Sequence, residues 1–329
     1  MEAKPARGRA HARAALVGNP SDGYGGRTIA TTIADFAAEV AIEPAPLLEI
    51  VPADQDRNAF RDLDDLAADV RANGYYGGLR LVKAALKRFA DQCAEERREP
   101  AQGTFRVRYS TTIPRQVGLG GSSAIVIATL RALASFHGVE LGHDRLAALA
   151  LATETEELEI PAGPQDRFVQ AHDGLLYMDF GPGGGAAVER LDPAGLPTLF
   201  LAYRTDASEP SAIVHSDLRR RFAEGDAEVR AAMTELGDLA ARARDALLSR
   251  EHDELARLID RNLELRSHLQ PLDPRHERMV AIAHDHGSHA NYAGSGGAII
   301  GTRPSGEAWR ALRSALESEG CGVIDPEVG

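Results

Sequence analysis

The feature that most constrains this chain is a short loop, Gly118-Leu119-Gly120-Gly121-Ser122-Ser123-Ala124. Upstream of it, Phe105-Arg106-Val107-Arg108-Tyr109 alternates apolar and polar side chains, the pattern of a half-buried strand. Downstream, Ile125 to Phe136 is apolar nearly all round, the pattern of a buried helix. A strand, a glycine-rich turn and the first turn of a helix together make an anion site. Glycine lets backbone N–H groups approach a charged ligand closely, and the helix N-terminus adds partial positive charge. For a lone G-x-G, a helix start behind a tight turn would be the better account. Two familiar readings fail on the residues themselves. The loop continues Ser-Ser-Ala without a lysine, so it is not a P-loop, and Ser123 stands where a dinucleotide-binding G-x-G-x-x-G needs its third glycine.

The segments around the loop mix strands and helices. Ala14-Ala15-Leu16-Val17 predicts a short strand running into the turn Gly18-Asn19-Pro20-Ser21-Asp22-Gly23, and Met1 to Arg13 reads as a solvated Ala/Arg-rich tail. Strand-like stretches follow near Thr28–Ile33, Ala38–Ile42 and Leu47–Val51. A helix is expected from Gly78 to Glu96, with Leu79, Val82, Leu86 and Phe89 on its apolar stripe, and another from Asp144 to Glu157. Gly174 to Phe180 reads as a strand, Gly181 to Gly185 as a loop, and Leu191 to Pro197 as a domain boundary. Beyond that boundary come a strand at Leu199–Tyr203, charged amphipathic helices between Ser211 and His286, and a second glycine cluster, Gly294-Ser295-Gly296-Gly297. A strand at Ala298–Ile300, a helix at Glu307–Glu317 and a strand at Gly322–Ile324 close the chain. The expected class is α+β in two domains, 1–195 and 196–329.

Composition narrows the partners. A formal charge of −12 over 329 residues argues against a nucleic-acid binder, and the apolar runs are too short to span a bilayer. With no targeting segment apparent, and with Cys93 and Cys321 far apart and read as reduced thiols, the expected location is the cytoplasm. Lys4, Lys83 and Lys87 are the only lysines among 37 basic residues, so a catalytic cation is expected to be an arginine.

Pro114-x-x-x-Gly118-Leu119-Gly120-Gly121-Ser122-Ser123-Ala124 resembles the second motif of the GHMP kinases (galactokinase, homoserine kinase, mevalonate kinase, phosphomevalonate kinase). Its G-L-G-G-S-S form is similar to that of the sugar 1-kinase branch, heptose kinases and glucuronokinases included. The resemblance implies ATP and Mg²⁺, with Gly118, Leu119, Gly120, Gly121, Ser122 and Ser123 around the phosphates. Ser123 would be a magnesium ligand, with Ser122 as the alternative. Phosphoryl transfer also calls for a carboxylate on the metal and often one to receive the hydroxyl proton. Taken alone, the acidic stretch Glu154-Thr155-Glu156-Glu157 reads as a solvated helix end. The match Leu158-x-Ile160-x-x-Gly163-x-Gln165-Asp166 implies Glu154 as metal ligand, with Glu156 or Glu157 in reserve, and Asp166 as base or electrostatic stabiliser.

Arg13-Ala-Ala-Leu-Val-Gly18-Asn19-Pro20-Ser21-Asp22 is similar to the family's first motif. That similarity implies Arg13 paired with the base, and Asn19 and Asp22 on the sugar. Without it, Arg13 would be a surface charge. Tyr292-Ala293-Gly294-Ser295-Gly296-Gly297-Ala298 resembles the third motif, a loop that closes over the site; the glycines equally suit a plain turn. Further blocks resemble plant-type glucuronokinases: Gly26-Arg27-Thr28-Ile29, Tyr75-Tyr76-Gly77-Gly78-x-Arg80, Ile113-Pro114-Arg115-Gln116, Ala162-Gly163-x-Gln165-Asp166-Arg167 and Arg261-Asn262-x-x-Leu265-Arg266.

The implied reaction converts ATP and D-glucuronate to D-glucuronate 1-phosphate and ADP. The implied fold has an N-terminal ribosomal-protein-like α/β domain and a C-terminal ferredoxin-like domain. A uronate carboxylate suits the planar fork of an arginine. The candidates are Arg27, Arg80, Arg115, Arg167 and Arg266, with Arg27 and Arg80 beside glycine-rich turns. Three alternatives stand beside this reading: another GHMP sugar 1-kinase of heptose-7-phosphate, fucose or galacturonate type, a non-catalytic sugar sensor on the same fold, and a nicotinamide dehydrogenase.

Overall fold

Two strands longer than the sequence pattern predicts organise the backbone. In the computed structural model, which describes residues 4–53, 56, 60–73, 77–98, 103–181, 185–205, 212–269 and 273–329, β1 covers Ala6–Val17 and β2 covers Arg27–Pro44. The expected tail is therefore mostly strand. Ala6, Gly8, Ala10 and Ala12 are buried while Arg7 and Arg9 are exposed, which is the period-two alternation of a strand. The inward residues of this first part, Ala6 to Ala12, are only alanine and glycine, so its hydrophobic signal is too weak to see in sequence. The two stretches expected at Thr28–Ile33 and Ala38–Ile42 are one continuous strand. Tyr75 and Tyr76 lie outside the described residues.

The chain divides into two compact units that interleave in sequence. One comprises Met1–Ala12, Phe36–Ile113 and Gly120–His172; the other comprises Arg13–Asp35, Pro114–Leu119 and Asp173–Gly329. β1 and β2 each run from one unit into the other, so neither unit is one continuous stretch of chain.

In the first unit the later half of β2 pairs antiparallel with β4 (Phe105–Thr111), and β3 (Glu49–Val51) runs parallel to β4. Helices α1 (Leu63–Asn73), α2 (Gly78–Glu95), α3 (Gly121–His137), α4 (His143–Ala152) and α5 (Gln165–His172) complete it. Helix α3 is buried along most of its length, as its apolar sequence requires, and β1 approaches it closely. A Cβ on Gly8 would collide with the backbone of Ala128. The buried face of α2 is Leu81, Val82, Ala85 and Phe89, rotated from the expected stripe because alanines as well as leucines pack inward.

The helix expected to reach Glu157 stops as an α-helix at Ala152 and continues as one π-turn, Thr153–Glu157. The Thr153 and Thr155 hydroxyls donate to the carbonyls of Leu149 and Leu151, at 2.7 and 2.9 Å. Such back-bonds from threonine often bend a helix, and π-turns are frequent at functional sites.

In the second unit the first half of β2 pairs antiparallel with β5 (Leu175–Asp179), which pairs with β6 (Ala187–Arg190). Then follow β7 (Leu199–Arg204), α6 (Ala212–Ala223), α7 (Ala227–Ser249), α8 (His252–Leu269), α9 (Pro274–Asp285), β8 (Ala290–Tyr292), β9 (Ala298–Thr302), α10 (Gly306–Ser318) and β10 (Cys321–Ile324). The last four strands form an antiparallel sheet in the order β10-β7-β9-β8. Numbered within the sheet, that is fourth-first-third-second, with helices between the first and second strands and between the third and fourth, the ferredoxin-like arrangement. Phe200, Met279, Ile282, Tyr292, Ile299, Leu312 and Leu316 form its core. Among the described residues no helix is long and apolar enough to cross a membrane.

Candidate active site

The first unit holds the later part of the glycine–serine loop and the acidic candidates. Gly120 adopts φ +73°, a left-handed conformation that suits glycine, and begins α3 with no side chain capping the helix. Its carbonyl accepts from the Ala124 amide (3.0 Å), the Ser123 hydroxyl (3.0 Å) and Gln170 Nε2 (2.9 Å). A trans peptide points its C=O and the following N–H in opposite directions, so three donors on the Gly120 oxygen turn the Gly121 N–H the other way. Gln170 also donates to the His11 carbonyl at 2.9 Å. Sequence reasoning passed over this residue; its position one helical turn after Asp166 was the available signal. Ser123 is buried, while Ser122 is exposed.

Of the three glutamates on the π-turn, Glu154 alone is buried, at 1% exposure. Glu156 and Glu157 form ion pairs with Arg88 and Lys87 on α2. The partner of Glu154 is Arg167, whose Nε donates to Oε2 at 2.7 Å and whose Nη2 pairs with the same oxygen. Burial pushes the Glu154 carboxyl above the usual range, against the downward pull of Arg167. Arg167 also donates to the Gly163 carbonyl at 2.9 Å and stands 3.7 Å from Asp166, which is partly exposed. Arg80 lies half-buried in the first turn of α2. Asp56 ties down the start of that helix by accepting from the Gly78 amide at 3.0 Å and from the Tyr109 hydroxyl.

The second unit carries the earlier part of the loop and the other two motifs. Gly118, at φ +71°, lies so close to the third motif that a Cβ would stand 2.8 Å from the Gly296 oxygen and 2.9 Å from the Ser295 nitrogen. Arg13, 5% exposed, joins the two: Nη1 donates to the carbonyls of Gly118 (2.7 Å) and Ala293 (2.6 Å), and its own amide donates to Leu119 O at 3.1 Å. Asn19 presents its carbonyl to Asn262 Nδ2 at 3.2 Å, and Asp22 is buried. Gly294 is buried and Ser295 partly exposed. Arg27 faces two carboxylates, Asp179 at 3.3 Å and Asp238 at 3.4 Å. Arg266 is 2% exposed and donates to the carbonyls of Tyr292 (3.4 Å) and Gly294 (2.8 Å); burial lowers its pKa to about 10.

Among the described residues no cluster of three or more His, Cys, Asp or Glu could by itself hold a metal. The donors at hand, the Glu154 carboxylate and a serine hydroxyl, are hard oxygens. They fit a magnesium ion that keeps water and takes phosphate oxygens, rather than one caged by protein.

Residues 80–174 match the family model for the GHMP kinases N terminal domain. The chain is 38% identical over 308 residues to Glucuronokinase 1 of Arabidopsis thaliana, covering 91% of this chain and 85% of that protein. The chain belongs to the GHMP kinase family. By that membership it is a phosphotransferase acting on an alcohol group. Solved structures of this GHMP kinase's fold include a D-glycero-D-manno-heptose 1-phosphate kinase from Bacteriodes thetaiotaomicron (21% identity, TM-score 0.70, 98% of this chain and 95% of that one). Streptococcus pneumoniae phosphomevalonate kinase shares it too, at 14% identity and TM-score 0.76, over 99% of this chain and 100% of that one.

Proposed function

We propose that this GHMP kinase transfers the γ-phosphoryl group of ATP to the anomeric hydroxyl of D-glucuronate, giving D-glucuronate 1-phosphate and ADP. The observation that carries the reading is the 38% identity to Glucuronokinase 1 along 91% of the chain. In this reading residues 1–195 form the ATP-binding domain and 196–329 the C-terminal domain, and the enzyme is cytoplasmic. Cys93 and Cys321 are buried and not joined in a disulfide, in keeping with a reducing compartment.

Gly118 to Ser123 and the start of α3 cradle the phosphates through backbone N–H groups. Glu154 and Ser123 hold Mg²⁺, which when bound would offset the charge on the β- and γ-phosphoryl oxygens. Asp166 stands to take the anomeric proton as the hydroxyl oxygen bonds to the γ-phosphorus and the bond from that phosphorus to the β-phosphate oxygen breaks. Anomeric hydroxyls are more acidic than ordinary alcohols, so a stabilising role for this carboxylate serves the same step. Asn19, Asp22, Gly294 and Ser295 face the sugar, and Arg13 holds the glycine loops in register. Arg27 and Arg80, beside glycine-rich turns, are the uronate-carboxylate candidates to test first, ahead of Arg115 and Arg167.

A coupled ADP-release assay with glucuronate, galacturonate, galactose and heptose 7-phosphate, followed by phosphorus NMR of the product, tests the proposal. Turnover with glucuronate and a 1-phosphate product is expected. Turnover with heptose 7-phosphate alone would move the substrate to the heptose branch, and no turnover of any uronate would end the glucuronate reading.

A further inference from the structure

Helix α8 buries a face built from Leu255, Leu258, Ile259, Leu265 and Leu269, and one turn apart on that same face lie Asn262 and Arg266, at 0% and 2% exposure. Buried amides and guanidinium groups are tolerated only with hydrogen-bond partners, and apolar residues would pack there more simply. The partners are main-chain atoms of two turns far apart in sequence. Asn262 Oδ1 accepts from the Gly18 amide at 2.6 Å, and its Nδ2 donates to the Asn19 carbonyl at 3.2 Å. Arg266 donates to the carbonyls of Tyr292 and Gly294, with its guanidinium 5.2 Å from the centre of the Tyr292 ring.

The turn at 292–294 is thus gripped by its oxygens: Tyr292 and Gly294 by Arg266, and Ala293 by Arg13. In each trans peptide the next N–H points away from the carbonyl. The Ala293 amide accordingly runs outward to Ala298 O at 2.9 Å, and the amides of Gly294 and Ser295 are turned away from the two guanidiniums.

The geometry points to Asn262 and Arg266 as positioning residues that set the backbone of the first and third motifs for the sugar without touching it. This rests on the reading of those turns as the sugar site. It removes Arg266 from the carboxylate receptors and gives the block Arg261-Asn262-x-x-Leu265-Arg266 a physical role. The low exposure of Arg266 and its burial-depressed pKa agree with a group committed to the interior.

The test compares wild type with Arg266→Met, Arg266→Lys and Asn262→Ser by amide hydrogen exchange, thermal melting and steady-state kinetics. Arg266→Met is expected to fold, to exchange faster at residues 293–296, and to lose about 100-fold in kcat/KM for glucuronate, the effect of a small misplacement at a site. Its KM for ATP is expected to stay unchanged. Arg266→Lys is expected to recover only part of the loss, since the guanidinium reaches the two carbonyls from two separate nitrogens and an ammonium has one. A folded Arg266→Met with wild-type exchange at 293–296 and wild-type kinetics for the sugar would overturn the assignment. If Arg266→Met does not fold, Asn262→Ser decides the matter at residues 18–21 by the same two readouts. If wild type phosphorylates no uronate, the functional reading fails, while the exchange comparison still decides the clamp.

Discussion

Replacing either partner of the Glu154–Arg167 pair tests the centre of the first unit most directly. Both side chains are almost fully enclosed, at 1% and 6% exposure, and Arg167 reaches one carboxylate oxygen with two nitrogens. Removing one member strands the other charge away from water, which destabilises by about 3–5 kcal/mol, against about 0–1 kcal/mol for an exposed pair. Arg167→Met and Glu154→Gln should therefore each lower unfolding stability by that larger amount. The combined Glu154→Gln/Arg167→Met variant leaves no orphan charge and should return to within about 2 kcal/mol of wild type. The losses should hardly change between about 0.1 M and about 1 M salt, because screening acts weakly on enclosed charges. Urea denaturation followed by circular dichroism gives the four stabilities and their coupling energy. Single losses below about 1 kcal/mol, with no coupling, would mean that the pair is not enclosed and the argument from burial is wrong. Turnover should be lost in all three variants, the stable double variant included, which separates the role of Glu154 in the reaction from its role in the fold.

Asp166→Ala should fold normally and lose at least about 100-fold in kcat, the usual worth of a positioned proton acceptor; full turnover in an ADP-release assay would refute the role. Gly118→Ala forces a left-handed alanine against the third motif. It should destabilise by about 1–2 kcal/mol or more, and raise the KM for ATP in steady-state kinetics. Asp273 caps α9 through the Arg275 amide, and the Arg275 guanidinium beside it holds its pKa down at about 2. A depressed carboxylate contributes stability above its unfolded value near 3.8, and that contribution is lost as pH falls through about 2. Asp273→Ala should thus cost about 1 kcal/mol at neutral pH, and its thermal melting should converge with wild type at the acid end.

The parts of this GHMP kinase that were legible in the sequence are those whose signal is local. The apolar run Ile125–Phe136 is the buried α3, and the glycines at 118 and 120 are the left-handed residues of its loop. The strands at Leu199, Ala298 and Cys321 appear within a residue or two of their expected places. The first part of β1, Ala6 to Ala12, was hidden because alanine and glycine face inward where bulky residues usually announce a strand. The π-turn was hidden because no apolar period marks it.

What the sequence by itself determined is the chemistry on offer: a glycine–serine phosphate loop, carboxylates at 154 and 166, and arginine as nearly the only cation. Which carboxylate turns inward, which arginine is already spent on a partner, and which buried polar pair grips the backbone were decided by the tertiary structure alone. Burial and hydrogen-bond partnership are properties of neighbours in space. Asn262 lies 244 residues from the amide it binds, and Arg13 lies 280 from one of its carbonyls. No local pattern along the chain encodes a contact of that range.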